Sequence, residues 1–211
     1  MRTDDVINLL VQDLPTPAPD ARGMLRRWLP LAALVAGGSF LALMGVRADL
    51  AAEGLGPTAM KLGLGALLAI TAAAGAVRLS RPEATTASAA KWLIAFGLLL
   101  AVIVTANLAS EGLDGFAVRL FGKSVLSCLT LIPMLAAVPL IATLLALRHG
   151  ATTAPAAAGA LAGLAAAGLA IVAYGLFCTE DSPLFVATWY TVAAGLAGLA
   201  GAILGRVMLR W

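Results

Sequence analysis

Charge is scarce in this sequence, and it is missing where a transport protein would need it. Only 12% of the 211 residues are charged, and six long apolar runs have no charged side chain in their middles: 29–46, 62–79, 92–109, 124–147, 156–177 and 184–205. Ionisable groups inside a membrane mark ion and proton paths, so their absence argues against a coupled transporter. The single histidine, His149, leaves no basis for a histidine metal site. The two cysteines, Cys128 and Cys178, are far apart in the chain, which excludes a Cys-x-x-Cys redox relay. No glycine-rich phosphate loop, zinc-protease pattern or serine-hydrolase dyad is present. The expectation is that the chain is not an enzyme and carries no resident cofactor.

What the sequence has in abundance is apolar length. It is 61% hydrophobic, outside the soluble range. Each run is about 18 to 24 residues long, enough for a helix to cross a hydrocarbon layer of roughly 30 Å. Helices satisfy their own backbone groups in lipid. The expected fold is therefore all-α: a polytopic bundle of six transmembrane helices, read as three helical-hairpin repeats, with a short N-terminal amphipathic helix outside the bilayer. Two regions follow, an extramembrane segment at 1–27 and a six-helix domain at 28–211.

The net charge of +3 would suggest nucleic acid only if the basic residues formed a patch, and they sort by loop instead. With both termini on one side, that side holds ten: Arg2, Arg22, Arg26, Arg27, Arg78, Arg81, Lys91, Arg148, Arg206 and Arg210. The other side holds four: Arg47, Lys61, Arg119 and Lys123. The positive-inside rule then places both termini in the cytoplasm. The first run starts late, behind an acidic and proline-rich stretch, which does not resemble a cleavable signal peptide.

The N-terminal segment has a pattern of its own. Thr3 can cap a helix, with Asp4 and Asp5 in the first turn against the dipole. Val6, Ile7, Leu10, Val11 and Leu14 form one apolar face. Pro15, Pro17 and Pro19 then end the helix and favour an extended tether. Such a helix can lie on the lipid surface, tuck against the bundle, or serve as bait for a soluble partner with an apolar groove. Its polar face is acidic, which disfavours anionic lipid.

Other features concern packing and the far loops. Residues 51–62 and 109–120 match at six of twelve positions, with Lys61 opposite Arg119, an internal repeat whose third copy at Thr179-Glu180-Asp181 is shortened. Gly159 and Gly163, and Gly201 and Gly205, have the small-residue spacing that lets helices approach closely, within the bundle more readily than between copies. Pro133 and Pro139 are expected to kink their helix. Trp28 and Trp92 mark the inner interface, while Trp189 and Tyr190 read as outer belt residues. Thr105, Thr130 and Thr143 should bond to their own helices.

Cys178 ends the fifth run, and Cys128 lies about 6 Å below the outer end of the fourth. If those helices are neighbours, the thiols could come within disulfide range. Glu180 and Asp181 add hard oxygen ligands, whereas two thiolates suit a soft metal. The alternative is that both are small buried hydrophobes.

The opening Thr3-Asp4-Asp5-Val6-Ile7, with Leu10, Asp13 and Pro15, resembles the start of the NrsF-like membrane anti-sigma factors. So does Cys178-Thr179-Glu180-Asp181-Ser182-Pro183, followed by Phe185 and Trp189. The resemblance extends over nearly the whole chain, although Thr179 stands where the family commonly has proline. It implies a multi-pass protein of the bacterial inner membrane that binds an extracytoplasmic-function sigma factor and keeps it from RNA polymerase. It implies further that Thr3, Asp4, Asp5, Val6, Ile7, Leu10 and Leu14 contact that partner. Cys128 and Cys178, with Glu180 and Asp181 beside them, would sense metal or oxidative stress through a disulfide or a transiently bound soft metal. The partners expected are thus a sigma factor and the lipid bilayer, with no direct contact to nucleic acid. A small-solute channel or permease built from hairpin repeats is the other class considered; it would need a polar cavity at mid-membrane.

Overall fold

Every apolar run becomes a helix, and most of the helices outrun the apolar stretch that signals them. The computed structural model describes residue 7, residues 21–49 and residues 55–210. Within these the helices are α1 (Ala21–Met44), α2 (Leu55–Leu79), α3 (Thr86–Glu111), the short α4 (Phe116–Phe121), α5 (Val125–Leu147), α6 (Pro155–Gly175) and α7 (Pro183–Met208). All but α4 are long and apolar enough to span a bilayer, so the chain is an all-α, multi-pass membrane protein with six such helices among the described residues. Hydropathy stops α2 at Lys61; the helix continues because that lysine is buried and paired. The hydroxyls of Thr105, Thr130 and Thr143 bond to carbonyls one turn back, as expected of hydroxyls in apolar helices.

The centre of the bundle is α6. Two thirds of its most apolar 18-residue stretch is buried (67%), against none of the corresponding stretch of α3 (0%). It packs along α2 and α7 and also touches α5 and α1, whereas α3 meets chiefly α2 and the first turns of α7. Composition explains this position. With alanine and glycine on most faces, α6 lets neighbours approach on several sides at once. The two glycine pairs read from the sequence meet each other inside the bundle. A Cβ on Gly163 would collide with the Ala197 carbonyl, and one on Gly159 with the Gly201 carbonyl. On the α2 side, a Cβ on Gly168 would lie 2.5 Å from the Ala69 nitrogen.

Two aromatic readings need correction. Tyr190 is not a belt residue: it is buried at 3% exposure, packed edge-on against Tyr174 with ring centroids 5.8 Å apart. Trp189 is half-buried, and its indole N–H donates to the Leu120 carbonyl at 2.8 Å, pinning α4 to α7. The cause is the same for both. Residues 186–190 form a π-helical turn, which rotates the helix face relative to a regular α-helix.

Candidate functional site

The helix ends at residues 47, 61 and 178 converge at one end of the bundle, the thiol end. There the α6–α7 turn is held by two cations from elsewhere in the chain. Lys61, on α2, is completely buried (0% exposed). Its ammonium donates to the Cys178 carbonyl at 2.8 Å, the Glu180 carbonyl at 3.2 Å and Asp181 Oδ1 at 2.7 Å. Three donors on one nitrogen meet three acceptors, which is what a buried ammonium requires. Arg47, just past α1, donates from Nη1 to the same Asp181 oxygen at 2.7 Å and to the Cys178 carbonyl at 3.3 Å. Its Nε and Nη2 bind Asp49 at 2.7 and 2.9 Å, a bidentate pair. Its backbone N–H is held by the Leu176 carbonyl at 3.0 Å.

The carboxylates respond to these cations. Burial pushes Asp181 up, but the bonds from Arg47 and Lys61 outweigh it and hold the group below the ordinary aspartate value. Asp49 is lowered by its bond to Arg47. Glu180 has a different role. Its Oε1 accepts the Lys123 backbone N–H at 2.6 Å, just before α5. The carboxylate fills the space beside Gly122, whose φ of +49° favours glycine and where an added Cβ would lie 2.7 Å from Glu180 Oε2.

Cys178 belongs to this turn, and both thiols are buried. Cys128 and Cys178 are both reduced, at 0% and 2% exposure, and belong to one apolar core with Phe40, Tyr174, Phe185 and Tyr190. The Tyr174 and Tyr190 hydroxyls are buried beside Cys178, but their contact with its sulfur falls short of a well-formed hydrogen bond. Of the four residues the sequence singled out, the structure brings the two thiols together and engages the two carboxylates elsewhere. Among the described residues, no three of His, Cys, Asp or Glu gather where they could hold a metal ion.

Sequence reasoning did not pick Lys61 and Arg47 as site residues. The available signal was two basic side chains on the poorly basic side of the chain, with Asp181 in the shortest loop facing them. At the segment read as partner-binding, Ile7 is 51% exposed; Thr3, Asp4, Asp5, Val6, Leu10 and Leu14 lie outside the described residues. An apolar groove of about 230 Å³ between α2, α3, α6 and α7 is lined by residues such as Leu64, Leu68, Phe96 and Ile171 with no charged side chain. That is not the polar cavity a permease would use.

Known proteins resemble this chain over its whole length. It is 34% identical over 225 aligned positions to the "Anti-sigma-F factor NrsF" of Caulobacter vibrioides, with both chains covered in full. It is 33% identical over 220 positions to the "Probable anti-sigma-F factor NrsF" of Azospira oryzae, again in full. No solved structure matches it. The profile of the NrsF family, described as negative regulator of sigma F, matches residues 10–211, and the chain belongs to that family.

Proposed function

We propose that this protein is a multi-pass anti-sigma factor of the bacterial inner membrane. It holds an extracytoplasmic-function sigma factor on the cytoplasmic side through residues 3–14 and releases it when the thiols at the opposite face react. The full-length match to the NrsF family carries the regulatory part of this reading. Three features support the finer part. The basic residues divide ten to four in favour of the side with the termini. The N-terminal sequence has the apolar spacing of an amphipathic helix followed by Pro15, Pro17 and Pro19. The two thiols are buried in one apolar core, and Glu180 and Asp181 near Cys178 are already satisfied by backbone or by cations.

The chemistry of the two thiols narrows the signal. Two convergent thiols fit a disulfide or a soft metal ion bridged by two thiolates. Glu180 and Asp181 are poor candidates for a hard cation, because Asp181 is neutralised by Arg47 and Lys61 and Glu180 caps the backbone at Lys123.

The test of partner binding is co-purification from native membranes with mass spectrometry of the soluble partner. Leu10→Asp puts a charge into the apolar face and should weaken capture by about 2 kcal/mol or more, roughly thirtyfold, while the protein still inserts. A sigma factor that co-purifies equally with this variant contradicts the proposal.

A further inference from the structure

We infer that Lys61, together with Arg47 and Asp181, is the positioning unit that keeps the α6–α7 turn closed over Cys128 and Cys178 and thereby sets the threshold at which the thiols react. This rests on the thiol reading above and deepens it.

Neither thiol has a path to reagent in the closed structure, at 0% and 2% exposure. Something must open first, and the turn from Cys178 to Asp181 carries one of the two thiols and lies outside the helices. Three parts of the chain hold it, all through hydrogen bonds. All three Lys61 donors end on this four-residue stretch. Arg47 adds two more bonds to it, on the Cys178 carbonyl and the Asp181 carboxylate. Glu180 ties the same turn to Lys123, five residues before Cys128 on α5. The Cys178 carbonyl is therefore gripped from α2 and from just past α1, and Glu180, two residues on, from just before α5.

The clamp is two-state for a physical reason. A buried ammonium that loses one partner is left with an uncompensated charge, so half-open positions are disfavoured. Closed, Lys61 has every donor satisfied. Open, it sits in the second turn of α2, near enough to the helix end for its long side chain to reach water. A signal that binds only the open state, whether oxidant or soft metal, shifts the population by its differential affinity. Weakening the clamp should therefore make the protein more sensitive, whereas removing a thiol should make it blind.

The experiment uses full-length protein in native membranes, in a Cys128→Ser background so that Cys178 is the only thiol. Alkylation by a small maleimide is followed by mass shift. Lys61→Met, which keeps length and removes charge, should speed alkylation roughly tenfold or more, the equivalent of losing a charge-assisted bond. Lys61→Arg keeps the charge and should stay much closer to wild type. With both cysteines present, Lys61→Met should also lower the concentration of oxidant or soft metal that half-induces the sigma regulon. If Lys61→Met does not accumulate, Asp181→Asn serves instead, because it leaves the bonds to the Cys178 carbonyl in place; it should show a smaller acceleration of the same sign. Alkylation at the wild-type rate in a folded variant overturns the clamp. If the regulon still responds after both cysteines become serine, the thiol reading fails, and the alkylation rates still judge the clamp.

Discussion

Lys61 and Arg119 occupy the same place in two copies of one twelve-residue pattern, yet the structure treats them differently. Lys61 is fully buried at the thiol end of the bundle and binds a turn more than a hundred residues away. Arg119 stays local. Its guanidinium binds Glu111, the Gly112 carbonyl at 2.6 Å and Asn107 at 3.3 Å, all within its own hairpin. The difference follows from what stands beside each copy. α2 lies against α6, the most buried helix, while α3 and α4 sit at the edge with lipid-facing side chains such as Leu98, Val102 and Val118. A repeated sequence supplies the cation, and the tertiary neighbours decide whether that cation crosslinks the fold or only finishes a turn.

The same substitution can be placed on both sides of this divide. Gly163→Ala puts a methyl into the Ala197 carbonyl and must force α6 from α7; overpacking of this kind costs about 1–3 kcal/mol. Fluorescence-detected gel filtration after heating in detergent should show a clear loss of folded protein. Gly97→Ala, on α3, meets nothing within 4 Å and should be neutral or stabilising by up to about 1 kcal/mol through helix propensity. Equal losses at both positions would remove the distinction between core and edge.

A gentler comparison uses the charges. Arg119→Gln breaks a pair whose glutamate is 53% exposed; exposed pairs contribute about 0–1 kcal/mol, so the change in melting temperature should be small and the thiol alkylation rate unchanged. Acid addresses the other side. Asp49 and Asp181 are both held below their ordinary value of 3.8. A carboxylate lowered in the folded state contributes stability above its unfolded pKa and loses it as pH falls through the folded one. Thermal stability should therefore change little through these two groups from neutral to about pH 4 and decline only below that. A decline centred near neutral pH would mean that another group governs the lid.

The fold was readable from the sequence because lipid demands long apolar helices and leaves few alternatives. The glycine pairs at 159, 163, 201 and 205 were readable as well, since small-residue spacing encodes close approach directly. Helix ends were harder. Hydropathy ends α2 at Lys61, because a charge looks like a boundary until its partners are known, and those partners are over a hundred residues away. Tyr190 was misread for a related reason. Belt statistics assume a regular helix, and the π-turn at 186–190 leaves no mark in hydropathy. The thiols could be picked out as the sole reactive pair. The cations that close the lid could not be, because long-range ion pairs have no periodicity.

One measurement tests most directly whether a reaction at the thiol end controls a partner at the other. The protein is purified from native membranes before and after brief exposure of the cells to a soft metal or an oxidant, and the sigma factor that comes with it is quantified by mass spectrometry. The account predicts that the wild type loses most of its bound sigma factor on exposure, and that Cys128→Ser, Cys178→Ser and the double variant all retain it to the same extent, since a bridged pair fails when either member goes. Release from the double variant equal to that from the wild type would contradict it.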